Sequence, residues 1–240
     1  MSRPVVEEEW PEFVQLKEQV ISLWFELRLF EDLYSKDKQT VDILNATARE
    51  FFYSLGVSLP NNLLRILAAV YDNSKTGSNA NITLDGVVAV SGTWISLTSH
   101  SKCECLLKSV SNPRGKLRDM RNKRLSHLDR RVLLGQRQLG SLTLAEILLL
   151  AKTAGKVLNE ISGELFDGST GFENPIRRAP SDIMSVLQNQ LMMNKIREHV
   201  KAKTMPEETA GKILAEGLWH SRAWQEWCLA NKLNPKHYLP

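Results

Sequence analysis

Apolar residues recur at steps of three and four along nearly the whole chain, and that spacing restricts the fold more than any other feature. Phe13, Leu16, Val20, Trp24, Leu27, Phe30 and Tyr34 share one helical face and predict an amphipathic helix over about residues 11–34. Val41, Leu44, Ala48, Phe51, Phe52 and Leu55 predict a second, with Gly56 placed as its C-cap. Pro60 suits the first turn of a short third helix carrying Leu63, Leu64, Leu67 and Val70. Residues 72–81 (DNSKTGSNAN) form a polar loop of turn residues. Thr83 is placed to cap a helix reaching about Val110, although the β-branched run at 87–95 makes a strand the competing reading.

Asn112 and Pro113 interrupt the pattern, which resumes over about residues 116–134. Thr143 with Glu146 has the spacing of a capping box, opening a helix through Leu144, Leu148, Ala151, Leu158 and Leu165. Residues 167–180 (DGSTGFENPIRRAP) combine glycine, proline and small polar residues as a linker does. Helical spacing returns through Met184, Leu187, Leu191, Ile196 and Val200, then after Thr204, and ends in a tryptophan-rich stretch. The expected architecture is all-α: an antiparallel helical bundle over 1–166, a linker over 167–180 and a small helical extension over 181–240.

An apolar fraction of 42% in 240 residues suffices for a substantial core. No uninterrupted apolar run approaches the ~20 residues of a membrane helix. The N-terminus MSRPVVEEEW also lacks the layout of a secretion signal, so a cytoplasmic protein is expected, with no membrane partner. Cys103, Cys105 and Cys228 are too few and too unevenly placed for a disulfide framework. No second pair of ligands accompanies the Cys103/Cys105 pair, so neither a metal nor any other cofactor is expected.

Charge is unevenly distributed. Residues 111–137 hold nine basic side chains and two acidic ones, a net of +7 in a chain of net +4. Such a segment attracts phosphates when it does not merely form a solvated face. An α-helix turns about 100° per residue. With Leu117 at zero, Leu128, Val132 and Leu125 then fall at about 20°, 60° and 80°. Arg121 falls at about 40° and Arg124 at about −20°, both within that apolar arc, and His127 at about −80°, on its edge. A guanidinium there must meet an acid, a cleft or a partner chain, because an unpaired buried charge is prohibitive. Two outcomes stay open: interior ion pairs beside a core histidine, or a phosphate-binding cleft with a titratable imidazole at its rim.

The run Arg121-Asn122-Lys123-Arg124-Leu125-Ser126-His127 resembles the signature of the HEPN superfamily, an arginine, a polar residue and a histidine four to six residues further on. The wider stretch LRDMRNKRLSHLDRRV is most similar to the abortive-infection, AbiU-like branch, as are the upstream AVYDNSKTGSNANITL and the downstream SLTLAEILLLAKTAGKVLNEI. The resemblance covers about residues 10–166. It implies a HEPN-like helical bundle that pairs as a homodimer, so that two copies of the motif line one cleft. It also implies a metal-independent endoribonuclease acting on RNA as a toxin or in antiviral defence, with an antitoxin or defence-system protein as a further partner. Arg121, His127 and Asn122 would then be the catalytic set, and Arg114, Arg118, Lys123, Arg124, Arg130 and Arg131 the RNA-binding cations. Asp129 stands where toxins paired with nucleotidyltransferase antitoxins carry a tyrosine. Control by tyrosine modification is therefore not implied.

Two rival classes share these residues. In one, a non-catalytic HEPN module holds a nucleotide or protein partner; in the other, a nucleic-acid-binding regulator uses only the positive field. His100, His199, His220 and His237 show no metal spacing. Trp219, Trp224 and Trp227 read as core, with base stacking the alternative.

Overall fold

A computed structural model describes residues 3–4, 6–35, 38–76, 79–122, 141–173, 179–216 and 221–233. Described secondary structure is helical apart from one small ladder, so the fold is all-α as the periodicity predicts. The chain divides into two compact units, residues 1–29 with 57–177 and residues 30–56 with 178–240.

In the first unit, helix α1 (Pro11–Phe30) buries Phe13, Leu16, Val20, Leu23, Trp24 and Leu27, the predicted stripe. It stops four residues short of Tyr34, where Glu31–Ser35 forms a π-helical turn. The stretch Lys38–Val70, called α2 here, is helical on both sides of a kink at Ala48 (φ −156°, ψ 70°), so two helices meet there and not between Gly56 and Pro60 as expected. Gly56 therefore lies within the helix and caps nothing. A Cβ there would approach Tyr34 Cε1 to 3.1 Å, so the glycine makes room for that ring, whose hydroxyl donates to the Phe52 carbonyl at 2.7 Å. Pro60 is likewise internal to α2.

After α2, residues 72–81 turn back through a two-residue antiparallel ladder, Lys75–Thr76 with Asn79–Ala80. Thr83 then caps helix α3 (Leu84–Ser91), its hydroxyl accepting from Gly86 N–H at 3.2 Å. The β-branched run is thus helical as far as Ser91, and the helix does not extend to Val110. Ser96 caps a new helix, α4 (Leu97–Ser109), and its amide donates to Glu164 at 2.5 Å, which fixes the break. Helix α5 (Ser111–Met120) starts where a break was expected, because Pro113 occupies its first turn and no intrahelical donor is needed there. Helix α6 (Leu144–Phe166) opens with the predicted capping box: Thr143 Oγ1 accepts from Glu146 N–H at 3.2 Å, and Glu146 accepts from Thr143 N–H at 2.9 Å. α4 runs along α6, α3 packs on both, and α5 packs on α6. Residues 167–173 are docked on α6, with Asn159 exchanging two hydrogen bonds with Thr170 and with Phe172 buried against Gly155.

The second unit contains α7 (Ala179–Lys201), α8 (Glu207–Ala215) and α9 (Arg222–Ala230). Its core gathers Met192, Ile196, Met205, Ile213, Trp224, Trp227 and Cys228. Trp224 and Trp227 stack at 5.4 Å and are core, as the commoner meaning of their spacing predicts; Trp219 lies outside the described residues. Among the described residues no helix is long and apolar enough to cross a membrane.

Candidate phosphate-binding groove

The start of the basic segment is α5, and its orientation follows from its apolar residues. Pro113, Leu117 and Met120 are buried. Arg114, Arg118 and Arg121 are spaced three and four apart, so they fall along one side of the helix. Each meets an acceptor from the stretch between the end of α2 and the start of α3. Arg114 pairs with Asp85 and lies over the Tyr71 ring at 5.3 Å. Arg118 reaches Asn73 Oδ1 at 3.4 Å, and Arg121 pairs with Asp72.

These acceptors are themselves fixed. Tyr71 is buried and its hydroxyl donates to the Leu150 carbonyl at 2.7 Å; burial pushes its pKa above the usual phenol range. Asp72 Oδ1 accepts from Asn73 N–H at 2.8 Å, and the Asn73 carbonyl accepts from Asn81 Nδ2 at 3.0 Å. The small ladder thus holds the loop that presents Asp72. On the far side of α5, Lys116 pairs with Glu146 at 2.6 Å and joins α5 to α6. That contact, with the Thr143 amide second, holds the Glu146 carboxyl below its ordinary range.

The helical wheel places Arg121 within the apolar arc, and the structure leaves its side chain half-buried at the border of that face. Its side chain is 28% exposed and that of Asp72 21%, so the pair is not sealed in the interior. Arg121 Nε donates to Asn122 Oδ1 at 3.0 Å, which joins the arginine to the polar residue after it. Both Arg121 and Asp72 line a groove of about 600 Å³. Its other described walls are Ser58, Asn61, Asn62 and Arg65, with Ala68 and Ala69 as the small residues among them.

Of the nine candidate residues, the structure places Arg121 on the groove wall with Asn122 hydrogen-bonded to it, and Arg118 lines a smaller cavity that it shares with Arg114 and Arg121. Arg114 is only 16% exposed and is engaged by Asp85 and Tyr71. Lys123, Arg124, His127, Arg130 and Arg131 lie outside the described residues. Asp72, Asn62 and Arg65 were not singled out from sequence. The available signal was the requirement that Arg121 find a carboxylate, together with the polar spacing Ser58, Asn61, Asn62, Arg65 on an otherwise apolar helix. Among the described residues no three His, Cys, Asp or Glu side chains gather as a metal site.

The model of the AbiU2 family (HEPN_AbiU2) matches residues 11–183. No curated protein and no solved structure matches the chain.

Proposed function

Because the chain belongs to the AbiU2 family of HEPN domains, we propose that it is a metal-independent endoribonuclease of abortive infection, working as a homodimer with a composite Arg/His cleft. The observation that carries the reading is the placement of Arg121: a motif arginine on the wall of an open groove, hydrogen-bonded to the motif's own Asn122.

In this reading the 2′-hydroxyl of a bound RNA attacks the adjacent phosphorus. The bond to the 5′-oxygen breaks, leaving a cyclic phosphate and a free 5′-hydroxyl. His127 takes the hydroxyl proton or returns one to the leaving oxygen. Arg121 holds the equatorial oxygens as charge builds on them, a role suited to a planar, permanently charged fork. Asn122 keeps the guanidinium oriented. One imidazole per subunit serves one proton transfer, and the histidine of a second subunit supplies the other. Arg118 and the cations from Lys123 to Arg131 draw in the backbone of the strand.

The test is incubation of the purified protein with total RNA in EDTA, beside His127→Ala and Arg121→Ala. Cleavage by the wild type alone, with both variants folded, is expected. Undiminished cleavage in both variants would overturn the reading. Intact RNA with tight nucleotide or protein binding would transfer the site to a non-catalytic module.

A further inference from the structure

The groove beside Arg121 has a second arginine wall that the motif does not contain. Ser58, Asn62, Arg65, Ala69 and Asp72 follow one another at steps of three and four, with Asn61 beside Asn62, so they form one face of the C-terminal half of α2 and its continuation. The opposite face of the same half carries Leu59, Leu63, Leu64, Leu67 and Val70 into the core. The helix is therefore anchored from behind, and its polar face is held rigid.

Arg65 is exposed, and its guanidinium is nevertheless fixed. Nε and Nη2 both donate to Asn62 Oδ1, at 3.0 and 2.8 Å. Asn62 Nδ2 in turn donates to the Glu26 carboxylate on α1. The direct partner of Arg65 is thus a neutral amide; the Glu26 carboxylate beyond that amide lies within electrostatic reach of the guanidinium but forms no ion pair with it. One edge of the fork is used for orientation, which leaves the Nη1 edge for a phosphate. Asn61, the residue before Asn62, adds donors and acceptors to the same wall.

We propose that Arg65 forms a second phosphate subsite, which binds the backbone phosphate next to the one held at Arg121 and so threads a single RNA strand along α2. Arg65 and Asp72, the partner of Arg121, line the same groove seven residues apart, one on the last turns of α2 and the other just past its end. A groove of about 600 Å³ has the volume of a nucleotide-sized ligand. Ala68 and Ala69 leave room for sugar and backbone between the two arginines. The subsite rests on the ribonuclease reading for its role, and on the groove alone for its ligand.

The experiment uses the full chain and a fluorescein-labelled, 2′-O-methylated single-stranded RNA oligonucleotide, which cannot undergo attack by its own hydroxyl. Anisotropy titrations over a salt series compare wild type, Arg65→Ala and Arg65→Lys. Loss of one phosphate contact should reduce the slope of log K against log salt by about 0.7. On cleavable RNA, Arg65→Ala should raise KM on the order of tenfold with kcat retained. Arg65→Lys should restore most of the slope, because it returns the charge; it also serves as the folded comparison if the alanine variant loses helicity. An unchanged slope and KM in Arg65→Ala, with cleavage still dependent on His127, overturns the subsite and leaves the ribonuclease standing. A wild type that does not cut RNA but loses slope on Arg65→Ala removes the ribonuclease reading and supports the subsite. Failure of the wild type to bind the oligonucleotide overturns the subsite outright.

Discussion

Replacing Asp72 by asparagine should strengthen RNA binding. In the free protein the Asp72 carboxylate occupies the position beside the Arg121 guanidinium that an RNA phosphate would take in the proposed complex. Two unit charges about 4 Å apart attract by roughly 4 kcal/mol at an effective dielectric constant of 20. Both side chains are more than a fifth exposed, and solvent and salt reduce such pairs to about 1 kcal/mol or less. In the proposed complex, displacing the carboxylate would lower RNA affinity by up to about fivefold, and the substitution would return that factor. Asparagine keeps the acceptor for Asn73 N–H at 2.8 Å, so the turn presenting it should survive. The stability lost with the ion pair, also about 1 kcal/mol, corresponds to a drop of about 2–4 °C in Tm. Anisotropy with the 2′-O-methylated oligonucleotide reads the affinity, and a thermal melt reads the fold. Weaker binding by Asp72→Asn, with the melt within that range, would refute the competition and make Asp72 a positioning residue for Arg121.

Two further outcomes test the packing around the site. Glu146→Gln keeps the cap geometry of α6 but removes the charge that faces Lys116. Because Glu146 has a folded pKa below its ordinary 4.5, its contribution is present above that value and lost as pH falls through the lower folded pKa; the Tm gap between wild type and variant, read by melts across acid pH, should close there. Thiol labelling of the native protein should modify the exposed Cys105 first, since burial covers Cys103 and Cys228 and pushes both thiols up to about 11. Native labelling of Cys103 as fast as Cys105, followed by mass spectrometry of peptides, would contradict the packing of α4 on α6.

Much of the fold was legible because the apolar spacing reports directly on burial. The α1 stripe, the Thr83 cap, the capping box at Thr143 and the buried Trp224 and Trp227 all follow from local rules. The boundaries that moved depend on distant residues. Gly56 looks like a cap until Tyr34 is seen against it, and Pro60 looks like a helix start until α2 is seen to continue through it. The break before Ser96 depends on Glu164, 68 residues further on. Such contacts have no signature within a window of local sequence.

At the groove the same division holds, and it explains why only half of the wall was anticipated. Burial cost alone requires that an arginine on the apolar flank of α5 be compensated, so Arg121 announces itself in sequence. Arg114, three residues before Leu117, is subject to the same demand and satisfies it with Asp85 and Tyr71. The two arginines thus obey one rule with opposite consequences: Arg114 is covered by its partners, whereas Arg121 meets its carboxylate at the edge of open space. What separates them is the neighbouring helix. Beside Arg121, α2 presents Ala68, Ala69 and the polar face from Ser58 to Arg65. A large apolar residue at 68 or 69 would fill the groove and turn Arg121 into a second Arg114. The small side chains of α2 are therefore as necessary to the proposed phosphate site as the arginine itself.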